Sequence, residues 1–272
     1  MAAAVDPPAV APLNAIPLDD RGLLLGDGMF ETLLFTRGDL VLADAHARRM
    51  AEGAAVLGLP APTMPAFVEC ALAAVEQAGL MRDRAAVRVT LTAGSGGRGL
   101  DRPAEPAPRL FATAAPSTRP TSPAALIIAQ TRRNQASPAS RWKTLAYLDN
   151  VLARREAAAA GADEAVMLNT LGELTCAAAA NLFWLKDGVL FTPAPATGCL
   201  DGVMARQAAD AAASLGIKVR HVRDGAEVLP RADAVFLTNS LIGVRPAYLA
   251  GQAPPARNAH IERLSAAVER FV

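Results

Sequence analysis

The chain has 272 residues, 52% of them hydrophobic, and 27 basic residues against 26 acidic ones. That is ample apolar material for a sizeable core, with no charge excess to suggest a nucleic-acid or polyanion-binding face. No apolar run reaches the roughly 18 residues of a membrane span, and no charged segment leads into a short apolar one; a cytoplasmic protein without membrane association or signal peptide is expected. Cys70, Cys176 and Cys199 are odd in number and widely spaced, and with His46, His221 and His260 they lack zinc-site spacing. A reducing compartment and no metal follow as expectations.

In chain order, residues 1–12 are Ala/Pro-rich and read as a poorly ordered tail. Residues 13–115 read as a smaller N-terminal α/β domain. It holds a strand over Met29 to Thr36, a tight Arg37-Gly38-Asp39 turn and a second short strand. An amphipathic helix from Ala45, a second helix over Pro65 to Ala78, and the strands "AVRVTLTA" and "RLFATAA" complete it. Residues 116–124, rich in Pro, Ser and Thr, read as a linker. Residues 125–272 read as a larger C-terminal domain: strand "ALIIAQ", a helix over Tyr147 to Ala160, strands "EAVMLN", "NLFWLK" and "GVLFTP", a helix over Gly202 to Leu215, strands "IKVRHV" and "AVFLTN", and a last helix from Ile261. The absence of a strict βαβ rhythm predicts an α+β fold rather than a doubly wound sheet.

Two features carry chemistry. "GSGGRG", Gly94 to Gly99, has the G-x-G-x-x-G spacing of a dinucleotide turn, but prolines at 103, 106 and 108 forbid the helix that must follow one. The second is the scarcity of lysine, only Lys143, Lys186 and Lys218. Lys186 sits at an Asp187-Gly188 hairpin turn, and Lys218 alternates outward on a strand. Lys143 lies between Trp142 and an apolar helical stripe of Leu145, Leu148, Val151 and Leu152. There it either snorkels to water or loses hydration and becomes a free amine for Schiff-base chemistry.

Six ordered blocks between about Leu18 and Pro246 resemble the class IV aminotransferases, pyridoxal-phosphate enzymes of fold type IV that include branched-chain and D-amino-acid aminotransferases and aminodeoxychorismate lyase. The blocks are "DRGLLLGDGMFETLL", "HARR", "WKTLAYLDNVLA", "GELTCAAAANLFWLKDGVLFTP", "GCLDGVMARQ" and "FLTNSLIGVRP". The resemblance implies a two-domain α+β fold resembling D-amino-acid aminotransferase, a homodimer, and pyridoxal 5'-phosphate held between the domains. It makes Lys143 the catalytic lysine that condenses with the cofactor's aldehyde and shuttles the substrate α-proton. Arg49, the backbone amides of Val203 and Met204, Asn239 and Ser240 would hold the phosphate. Arg98 would anchor a substrate carboxylate, its alternative being a solvated surface turn, and Phe30 and Glu31 would border the pocket. Cys176 stands where the family places a glutamate against the pyridine nitrogen, and Ala93 where it often places an arginine. Three activities follow: transamination between an amino acid and a 2-oxo acid, lysis of 4-amino-4-deoxychorismate to 4-aminobenzoate and pyruvate, or cofactor binding with weak turnover because of Cys176.

Overall fold

The structure, a computed structural model, describes residues 9–10, 15–96 and 99–272. Most of the expected tail, and Arg98 with it, lies outside the described residues. Within the expected tail, Ala9 and Val10 form β1 (Ala9–Val10), paired in parallel with a later strand.

Two compact units are present, residues 1–118 with 142–146 and residues 119–141 with 147–272. The short return of 142–146 to the first unit is a feature that the sequence does not announce.

In the first unit, Asp20 caps α1 (Arg21–Leu25), and β2 (Gly28–Thr36) is the fourth strand of a five-stranded sheet. β3 (Asp39–Leu40), α2 (Ala43–Val56), α3 (Met64–Gln77), β4 (Ala85–Thr92) and β5 (Arg109–Pro116) follow, with sheet order β1-β5-β4-β2-β3. Side chains alternate across a strand, so Met29, Leu33 and Phe35 of β2 enter the core beneath α2 and α3 with Met50, Phe67 and Val75. Phe30, Thr32 and Leu34 project from the opposite face.

The second unit is an eight-stranded mixed sheet built from β6 (Ala124–Arg133), β7 (Glu164–Asn169), β8 (Leu174–Ala177), β9 (Asn181–Lys186), β10 (Val189–Pro193), β11 (Lys218–Val222), β12 (Ala234–Asn239) and β13 (Gly243–Leu249). Its order is β11-β10-β9-β12-β13-β6-β7-β8. The helices are α4 (Pro138–Arg141), α5 (Leu148–Ala159), α6 (Val203–Ser214) and α7 (Ala259–Val268). One sheet face holds Leu126, Leu182, Trp184 and Leu237; the other packs Ala129, Ala165 and Met167 against Ala153 and Ala157 of α5. Small alanines on both surfaces let α5 approach the sheet closely.

The apolar stripe expected beside Lys143 is not a packed helix face. Leu145 meets β2, whereas Leu148 and Val151 are 68% and 51% exposed on the first turn of α5. Among the described residues, no helix is long and apolar enough to cross a membrane.

Candidate active site

Lys143 is fixed by backbone pairing rather than by a helix. The Phe30 amide donates to the Lys143 carbonyl at 2.9 Å, the Leu145 amide donates to the Gly28 carbonyl at 2.9 Å, and Met29 and Thr144 form an antiparallel bridge. Residues 143–145 thus extend the sheet beside β2, and the register puts the Lys143 side chain on the face of Phe30. Its Nζ lies 4.2 Å from the centre of the Phe30 ring, and the Arg88 guanidinium carbon lies 3.5 Å from the same centre. Register also explains Arg88, since β4 pairs Arg88 with Thr32 and Thr90 with Phe30, all on this face. An aromatic face touched by two cations is a place where positive charge is stabilised without a carboxylate.

Phe30 and Glu31, expected to share a pocket, point to opposite sides of β2. Glu31 faces α2 and is fully buried. Arg49 donates from Nε to Oε1 at 2.8 Å and from Nη2 to Oε2 at 2.5 Å, and His46 Nδ1 lies 2.7 Å from Oε2. Burial alone pushes the Glu31 carboxyl up, but the Arg49 charge and the hydrogen bonds from His46 and Arg49 outweigh it and hold it at about 2. Burial pulls His46 down, against the pull of Glu31, which keeps the imidazole neutral. An ionised carboxylate only accepts, so His46 carries its proton on Nδ1. The spacing in "HARR" sets His46 and Arg49 three residues apart on one helix face, which lets both reach a single carboxylate.

The glycine-rich segment is braced at both ends. Gly94 has φ +80°, and a Cβ there would lie 1.8 Å from the Ala107 carbonyl oxygen, so only glycine fits. Beyond it, Arg21 donates to the carbonyls of Leu100 (2.7 Å) and Asp101 (3.0 Å), and Asp27 receives both Arg21 (2.9 Å) and Arg102 (2.5 Å). Burial pushes the Asp27 carboxyl up, and the two arginines more than reverse this. No helix follows the segment before β5, in agreement with its prolines.

In the second unit, α6 begins at Val203 and Met204, both buried, with Gly202 as an N-cap that has no side chain to satisfy the first amides. A Cβ on Gly202 would lie 1.9 Å from Asn181 Oδ1. Nearby on β12, against which α6 packs, the Thr238 hydroxyl is buried and, among the described residues, has no hydrogen-bond partner. Uncapped amides at a helix start and an orphaned hydroxyl fit an anion. The Asn239 side chain is committed to its own turn: Oδ1 accepts from the amides of Leu241 (2.9 Å) and Ile242 (3.0 Å), and Nδ2 donates to the Ala179 carbonyl. Ser240, half-buried, follows it. Cys176, on β8, is 4% exposed, with the Thr175 hydroxyl 3.7 Å from its sulfur. Glu173, near it in sequence, accepts from Asn169 Nδ2 and Arg223 Nε. Among the described residues, no group of His, Cys, Asp or Glu is arranged to hold a metal.

Sequence reading missed Arg88 and Arg133. Arg88 looks like any outward residue of an alternating strand. Arg133, at the end of β6, is 4% exposed and donates from Nε to the Gly198 carbonyl (2.9 Å) and from Nη1 to Asn150 Oδ1 (3.2 Å). A third bond reaches the Ser140 carbonyl, in α4 just before Trp142 and Lys143.

Comparison with known proteins bears on the family and the fold. The family model described as amino-transferase class IV matches residues 28–249. An aminodeoxychorismate lyase of Vibrio harveyi is 29% identical over 242 residues, 86% of this chain and 87% of its own. A putative branched-chain-amino-acid aminotransferase of Methanocaldococcus jannaschii is 31% identical over 235 residues, 84% of this chain and 80% of its own. Among solved structures, a putative 4-amino-4-deoxychorismate lyase from Legionella pneumophila superposes with a TM-score of 0.87 at 27% identity, covering 96% of each chain. With its two-unit α+β fold, the chain belongs to the class IV aminotransferases, a family of pyridoxal-phosphate-dependent enzymes.

Proposed function

We propose that this chain binds pyridoxal 5'-phosphate and transfers an amino group between an amino acid and a 2-oxo acid. The observation that carries this reading is Lys143, whose amine is held at the Phe30 ring beside Arg88 while the other two lysines face solvent or a surface carboxylate. The cofactor, when bound, supplies an aldehyde for the lysine and a ring that withdraws electrons from the substrate Cα. Lys143 would hold the cofactor there, and its free amine would take and return the substrate α-proton. The amides at the start of α6, the Thr238 hydroxyl, Ser240 and the backbone at Asn239 receive the phosphate. Arg49 is assigned to the phosphate as well: a guanidinium has five donors, and the Glu31 carboxylate, by taking two, fixes its orientation. Arg88, with Arg98, is assigned to a substrate carboxylate, and Cys176 is placed beside the ring nitrogen.

A second reading, lysis of 4-amino-4-deoxychorismate, is favoured by the full-length likeness to lyases and by the bracing of the segment after "GSGGRG". Both readings need the same lysine. The test has two stages. Borohydride treatment of protein loaded with pyridoxal phosphate, followed by peptide mapping, should place the reduced adduct on Lys143. Loss of cofactor absorbance on adding an amino acid, with recovery on adding 2-oxoglutarate or pyruvate, marks a transaminase; release of 4-aminobenzoate marks the lyase. An adduct on another residue, or none, would end both.

A homodimer is part of the same proposal. Leu18, Leu23, Leu24 and Leu25 stand exposed around α1, an apolar cluster suited to a second copy. Leu24→Glu should shift the mass in solution to that of one chain.

A further inference from the structure

Arg133 is a buried cation that, among the described residues, forms no ion pair. Its hydrogen bonds end on two carbonyls and an amide oxygen, and among the described residues no carboxylate lies within ion-pair distance of it. Such burial is expensive, and three neutral dipoles offset it only in part. Cys199, next to Gly198, does not supply the missing charge: burial first, and the nearby Cys176, push its thiol up to about 12.

Strand register brings Arg133 and Cys176 to one face. Arg133 pairs with Asn169 across β6 and β7, and Cys176 pairs with Met167 across β7 and β8. Residues 167 and 169 project from the same side of β7, so Arg133 and Cys176 do too, with one strand between them. Asn150 links the same places, accepting from Arg133 and donating from Nδ2 to the Ala178 carbonyl at 2.8 Å, two residues beyond Cys176.

We propose that Arg133, a buried cation without an ion-pair partner among the described residues, imposes a positive charge on this sheet face, so that a cofactor ring nitrogen lying beside Cys176 is held unprotonated. The placement of the ring rests on the functional reading above; the coupling between Arg133 and position 176 does not. A neutral ring nitrogen attracts the electrons of the substrate carbanion less strongly, so Arg133 and Cys176 together weaken the electron sink that the reaction uses. The proton concerned stays in solvent, and no other group changes state. Arg133 acts here as a positioning residue for charge, not as a group that touches substrate.

Two measurements test this. Thermal unfolding of cofactor-free protein is compared for wild type, Cys176→Glu, Arg133→Met and the double variant. Cys176→Glu should raise the midpoint by about 3 °C or more when Arg133 is present, and lower it when Met stands at 133. An equal effect in both backgrounds would refute the coupling. The second measurement uses pyridoxal phosphate labelled with 15N in the ring. Its resonance on wild-type protein should be that of an unprotonated pyridine, and should move toward pyridinium in Cys176→Glu. A pyridinium resonance on wild type would overturn the proposal even if Arg133→Met does not fold. Failure of the protein to take up the cofactor would sink the functional reading, while the unfolding cycle still decides the coupling.

Discussion

Each unit buries an arginine at about the same depth, 5% exposed for Arg49 and 4% for Arg133, and each solves the problem differently. Arg49 meets a carboxylate on the facing strand, and the pair with His46 is electrically balanced. Arg133 meets only carbonyls and an amide. A balanced pair fixes geometry and little else; a cation with no ion-pair partner among the described residues keeps more of its field. The first arrangement suits a rigid platform under Phe30 and Lys143. The second suits a residue that sets the electrostatics of a neighbouring site.

Arg49 can be made to resemble Arg133 by a single substitution. Glu31→Gln keeps the shape of the side chain but leaves a buried guanidinium without its charge partner. We expect a loss of about 3–5 kcal/mol in unfolding free energy, measured by urea titration. A loss below about 1 kcal/mol would mean that the first unit tolerates a bare cation as easily as the second, and the contrast between them would vanish.

Why the sequence revealed one arginine and not the other is a matter of local pattern. "HARR" places a histidine and an arginine on one turn of helix and is one of the blocks that carry the family resemblance, so Arg49 is singled out by a local motif, whereas its pairing with Glu31, expected at the pocket border, comes from the fold. The strands and helices were legible for the same reason: alternation in β2 and β4, the proline near the start of α3, and the glycine after α5 are local signals. Arg133 has no such signature. Its partners lie at positions 140, 150 and 198, brought together only by the fold, and in the sequence it closes a strand as any solvated residue would. Lys143 is intermediate. Scarcity of lysine singled it out, but the apolar stripe beside it was misleading, because residues 143–145 leave the second unit to pair with β2, and α5 exposes that stripe instead. Pairing between distant segments cannot be read from a local period.

Acid should separate the two arginines next. The Glu31 carboxyl lies at about 2 in the folded protein against an ordinary 4.5, so its contribution is complete above pH 4.5 and is lost as pH falls toward 2. Stability measured between pH 5 and 3 should therefore fall in wild type and fall less steeply in Glu31→Gln. Arg133, with no carboxylate to protonate, should add nothing to that slope, so Arg133→Met should leave it unchanged. A flattened slope in the Arg133 variant would reveal an acidic partner for it.

A smaller effect is expected at the start of α6. Gly202→Ala forces a Cβ against the Asn181 amide, whose Nδ2 holds the Leu200 carbonyl at 2.6 Å. Displacing Asn181 should cost about 1–3 kcal/mol and weaken binding of pyridoxal phosphate, measured by fluorescence titration, while the first unit stays intact. Unchanged affinity would remove α6 from the phosphate site and leave Arg49 as the remaining charged candidate.

The smallest effect is a control on the surface. Lys186 donates to Asp233 at 3.0 Å, and that hydrogen bond raises the lysine and lowers the carboxylate. Both groups stand in water, where the attraction is screened and ordering two long side chains offsets most of it. Lys186→Ala should leave the unfolding midpoint within experimental error at 0.15 M salt, although the pair is as short as many in the interior. If it cost as much as Glu31→Gln, distance rather than burial would govern the strength of charge pairs in this protein, and the contrast drawn between Arg49 and Arg133 would lose its physical basis.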